Sequence, residues 1–123
     1  MMRRIAVVAA VALAAAVDAF IEAWRPMSES DDSPYPLRWM IGALVVLDQP
    51  VGYEAMARCL LHDNPTIADP VMRSAPVHES LVPGMVHILS TGNTWMQNTA
   101  EKWLQAFPDQ AVVDRARAAA EAE

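Results

Sequence analysis

Apolar and polar residues alternate along this chain with the spacing of helix faces almost throughout. The first segment opens on Arg3 and Arg4, runs through thirteen unbroken apolar residues from Ile5 to Val17, and then meets Asp18. Leu13, Val17, Phe20 and Trp24 fall on one side of a helix, and Arg4, Asp18, Glu22 and Arg25 on another. The pattern predicts a helix over residues 3–25, ended by Pro26. A basic pair before a short apolar run also resembles a secretory signal peptide, with Val17-Asp18-Ala19 as a small-residue cleavage site. The ordered polar stripe favours a retained core helix, since a signal peptide does not need one. Thirteen apolar residues are too few to cross a bilayer, so no firm membrane span is expected.

The later segments are shorter. Leu37, Met40, Ile41, Leu44 and Val45 mark a helical face behind Pro36. Residues 40–47 would also suit a short buried strand, and helix is favoured. Tyr53, Met56, Ala57, Leu60 and Leu61 form the next stripe, with Glu54 and Arg58 spaced for an ion pair on its outer side. Asp63-Asn64-Pro65 stops that helix, and Pro70 should limit Thr66–Ser74 to one short turn. Ser80 is expected to cap a helix reaching Ser90, and Thr94 to cap the next. Met96, Thr99, Ala100, Trp103, Leu104 and Phe107 make the cleanest stripe in the chain. After Pro108-Asp109 a last helix carries Val112, Val113, Ala116, Ala119 and Ala120.

The expected fold is therefore all-α, a single domain over residues 1–123 with about six or seven short helices, arranged as an irregular bundle or a stacked helical array. Residues 1–25 form its N-terminal apolar helix, 26–36 an acidic Pro/Ser loop, and 37–123 the helical body.

Residues 81–107, LVPGMVHILSTGNTWMQNTAEKWLQAF, resemble the second and third helices of an armadillo or HEAT-type repeat. The apolar-Pro start, the Val-x-Ile-Leu run, the Gly-Asn turn and the Gln-x-x-Ala start of the last helix carry the likeness. The resemblance implies helix-on-helix stacking. It does not imply peptide binding, because the tryptophan and asparagine that bind peptide in armadillo third helices fall here at Lys102 and Ala106.

Composition narrows the function. Apolar residues make up 54% of the chain and the formal net charge is −6. Without a basic patch, phosphate-led binding of nucleic acid is not expected. One cysteine, Cys59, excludes an internal disulfide and suits a reducing compartment. His62, His78 and His87 lack the spacing of a helical zinc site, and no metal or cofactor is expected. Cys59 and His62 lie three apart, yet the thiol adjoins an apolar face and reads as core. Arg73 and His78 have the spacing of some helical ribonuclease pairs, but Pro76 intervenes. Glu29, Asp31 and Asp32 lack the ordered ligand spacing of a calcium loop.

No catalytic residue is assigned. The expectation is a non-catalytic protein-binding module, such as a small inhibitor, immunity protein or accessory subunit, in the cytoplasm. The alternative is an exported bacterial envelope protein, periplasmic or secreted if residues 1–19 are a cleaved signal; a small histidine-dependent hydrolase stands third. Two partner-binding surfaces are expected. One is the acidic set Glu29, Asp31 and Asp32, which would meet a basic protein. The other is Trp95, at the edge of its stripe beside a turn. A homo-oligomer also fits these features.

Overall fold

A computed structural model describes residues 2–23 and 35–122. Among these it holds seven α-helices, one short 3-10 helix and no strand. The helices are α1 (Met2–Ala23), α2 (Tyr35–Leu47), α3 (Pro50–Leu60), α4 (Pro65–Ser74), α5 (Val82–Thr91), α6 (Thr94–Ala106) and α7 (Gln110–Glu121), with the 3-10 turn Glu79–Leu81 before α5. The fold class is all-α in one small domain, and residues 40–47 are helical throughout.

Every substantial helix-to-helix contact joins elements one or two apart in the chain. α1 packs on α3, α3 on α5 and α5 on α7, while α2 packs on α4 and α4 on α6. Odd and even helices thus build two layers, and the stacked array is the arrangement realised. α3 sits at its heart, touching α1, α2, α4, α5 and the 3-10 turn. Between the layers, Leu37, Ile41, Leu44, Met56, Leu60, Ile67, Met72, Leu81, Met85, Ile88, Met96 and Leu104 are fully enclosed. Cys59 and Val113 join this core, and Trp103 and Phe107 stack at its edge with ring centroids 5.1 Å apart.

Local chemistry departs from the sequence expectations at several points. α4 is a ten-residue helix in spite of Pro70 inside it. Ile67, Ala68, Val71 and Met72 are buried there, and that burial outweighs one missing backbone hydrogen bond. Its start is held by the side chain of Asn64, which accepts from Thr66 N. Ser80 is not a cap: His78 caps the 3-10 turn, with Nδ1 accepting from Ser80 N at 3.1 Å. Asn93, not Thr94, caps α6 by accepting from Met96 N at 2.9 Å. Both replacements have one cause, since His78, two places before Ser80, and Asn93, one place before Thr94, hold the extended backbone a cap needs. Leu61, expected in the core, is the C-cap of α3 and is turned to solvent. Arg58 does not pair with Glu54; it reaches across to α1, its Nε and Nη2 donating to the two Asp18 oxygens at 2.9 and 3.0 Å. A bidentate carboxylate is a better acceptor than one flexible neighbour on the same helix.

Candidate docking surface

The two ends of the array differ. At the C-terminal end, α6 shows Asn98, Lys102 and Gln105 to solvent and α7 shows Asp114, Arg115 and Glu121. At the N-terminal end the outer faces carry more apolar bulk, beside the exposed Arg3, Arg4 and Arg38. Among the described residues, six of the nine large hydrophobic side chains that stand exposed belong to α1 and α2: Ile5, Val7, Val8, Val11, Trp39 and Val46.

α2 has two apolar faces. Leu37, Ile41 and Leu44 point into the core. Trp39, Gly42, Ala43 and Val46 follow the same helical spacing on the opposite side. Trp39 is 79% exposed and Val46 83%. A side chain added at Gly42 would meet nothing within 4 Å, so the helix carries a notch between two bulky residues. With Arg38 at its edge, this face lines an open hollow of about 530 Å³.

α1 is divided along its length. Ala10, Ala14 and Val17 are buried, with Leu13, Phe20 and Ile21 partly so, and the Asp18–Arg58 pair ties that part to α3. The expected core side is thus real from Ala10 onward, with small residues setting a close approach. Of the expected stripe, Leu13, Val17 and Phe20 take part, while Trp24 and Arg25 lie outside the described residues. The thirteen unbroken apolar residues alone are too few, but the whole helix is long and apolar enough to cross a membrane by length and composition, and only 17% of its most apolar stretch is buried, unlike a core helix.

The sequence-derived site residues fare unevenly. Glu29, Asp31 and Asp32 lie outside the described residues. Trp95 is 45% exposed at the start of α6, and the Arg73 guanidinium lies over its ring at 5.3 Å. Arg73 in turn donates to Asp69 at 2.8 Å, so Trp95 is partly roofed from its own chain. Trp39 has no such cover from its own chain among the contacts described, and it stands on the second apolar stripe of α2.

The groups with chemical potential are dispersed. His62 Nδ1 accepts from Asn64 N, and His78 stacks on Tyr53 with centroids 3.9 Å apart. His87 lines a separate groove between α5 and α7, and its Nε2 is buried without a hydrogen-bond partner. Burial, and next the negative charge of Asp18, push the Cys59 thiol up to about 12. That disfavours the thiolate a nucleophile needs. Among the described residues no three His, Cys, Asp or Glu side chains gather as metal donors. Comparison with family models, with curated proteins and with solved structures finds no match to the chain.

Proposed function

We propose that this protein is a non-catalytic protein-binding module that seats an apolar helix of its partner on the outer face of α2. The carrying observation is the Trp39–Gly42–Ala43–Val46 face, solvent-exposed on a helix whose opposite side is already fully engaged. The spacing is that of anchor residues in helix-in-groove recognition. Gly42 and Ala43 let a second backbone come close, while Trp39 and Val46 flank it as ridges. Among the described residues nothing packs on the outer face of α2, so an added helix would continue the packing already present between α2 and α4. Exposed tryptophan is a recurrent anchor of such contacts.

Glu29, Asp31 and Asp32 precede α2 in the chain and belong to the same proposal as charges that steer a basic partner toward it. Trp95 is the lesser anchor, since Arg73 already covers part of its ring. We place the protein in the cytoplasm, where a single unpaired cysteine is at home.

The test uses the partner recovered with the full-length protein from its own cells. Trp39→Ala should raise the dissociation rate by about tenfold or more, the effect of losing a buried aromatic anchor. Gly42→Leu should block the notch to a similar extent while the free protein keeps its melting temperature. A partner whose kinetics ignore both substitutions is bound elsewhere, and the α2 reading then fails.

A further inference from the structure

The other half of the open end has a different chemistry. Viewed along α1, Ile5, Val8, Ala12, Ala15 and Ala19 form one stripe on the side opposite Ala10, Ala14 and Val17. This stripe is exposed and carries no charge from Ile5 to Ala19, and Glu22 follows it at the far end of the helix. Its bulk is graded. Ile5 is 66% exposed and Val8 68%, and beyond them the stripe shrinks to alanine. The two cations of the helix, Arg3 and Arg4, stand at the bulky end, and with Val7 and Val8 they line a shallow hollow of about 320 Å³. Its two acids, Asp18 and Glu22, stand at the other end, where Asp18 is held by Arg58.

Charge is polarised across the molecule in the same sense. Residues 48–122 carry nine Asp and Glu against five Lys and Arg. An anionic surface would repel that body and attract the arginine tip.

We propose that the exposed stripe of α1 and the Arg3–Arg4 tip dock this protein on an anionic lipid surface, as a peripheral contact. Ile5 and Val8 enter the boundary between headgroups and acyl chains, and the arginines hold lipid phosphates beside them. The Asp18–Arg58 pair and the buried Ala10, Ala14 and Val17 keep the rest of α1 on the body, so the helix lies on the membrane and does not cross it. A second copy of the chain fits less well. The apolar bulk is gathered beside a cation pair at one end, where a second copy would bring like charges together.

The experiment is co-sedimentation of the full chain with phosphatidylcholine vesicles, with and without phosphatidylglycerol. No partner protein is present, so the outcome is independent of the α2 reading. Binding is expected on the anionic vesicles, weak on pure phosphatidylcholine, and reduced as salt rises. Reversing both charges with Arg3→Glu and Arg4→Glu should weaken it by about tenfold or more, since each basic residue near such a surface adds about that order of attraction together with its neighbour. Val8→Asp should abolish it. All of these positions are exposed, so each variant should keep the wild-type helical spectrum and melting temperature. Absence of binding to anionic vesicles would overturn the proposal. So would equal binding to neutral vesicles that ignores the charge reversal. Sedimentation of a lipid-free dimer that Val8→Asp splits, without vesicle affinity, would assign the stripe to a second copy instead.

Discussion

Two titrating side chains give the sharpest residue-scale expectations. The Tyr53 hydroxyl donates to Asp48 Oδ1 at 2.5 Å, from a ring stacked on His78. That hydrogen bond to a carboxylate, with burial adding to it, pushes the phenol up to about 12. Its folded value lies above the ordinary tyrosine value of about 10. The unfolded chain therefore releases this proton first as the solution turns alkaline. Tyr53 contributes stability that is fully present below about pH 10 and drains away as pH rises toward 12. Thermal melts across that window should show wild type losing stability more steeply than Tyr53→Phe; equal slopes would mean the Asp48 contact is not made in solution. Cys59 should be inert to a thiol reagent near about pH 8 in the native protein and react fully in denaturant, because burial raises its pKa and blocks access. Rapid native labelling would contradict its burial on the inner side of α3. Neither contact was legible in the sequence. Cys59 could be read as core from its apolar neighbours, but the Tyr53–Asp48 bond depends on Asp48 taking a left-handed backbone at the end of α2, with φ 50°.

At the scale of elements, two helical glycines separate packing from exposure. Gly84 lies where α5 crosses α3, and a Cβ there would stand 2.5 Å from Leu60 Cβ. Gly84→Ala should cost about 1–3 kcal/mol in urea unfolding, since overpacking exceeds the gain in helix propensity. Gly42 faces open space, and substitution there should leave the free protein as stable or slightly more so. A neutral Gly84→Ala would show that α3 and α5 are further apart than described. Helix positions were largely legible from apolar periodicity, as at α6, where Met96, Ala100, Trp103 and Leu104 are all buried. What periodicity missed was set by tertiary context. α4 runs through Pro70 because its apolar face is enclosed, a fact local rules cannot supply. Arg58 left Glu54 for Asp18 because folding brings α1 beside α3.

For the whole molecule, the all-α class followed from the absence of alternating segments, but the layering did not. Choosing between a bundle and an array requires knowing which faces meet, and the one-and-two-apart contact pattern decides it. The docking surface was legible only in part. Trp95 drew notice through its place beside a turn, whereas the more exposed Trp39 was hidden within an apolar run that reads as core on every side. The central claim is that α2 turns its outer face to a partner helix. The most direct measurement places p-benzoylphenylalanine at Val46, which is 83% exposed, and irradiates the protein in its own cells. The account predicts one discrete protein adduct that disappears when Gly42→Leu is added, and no such adduct from the same probe at exposed Lys102 on α6. An adduct that persists unchanged with the notch filled, or none at Val46 at all, would contradict it.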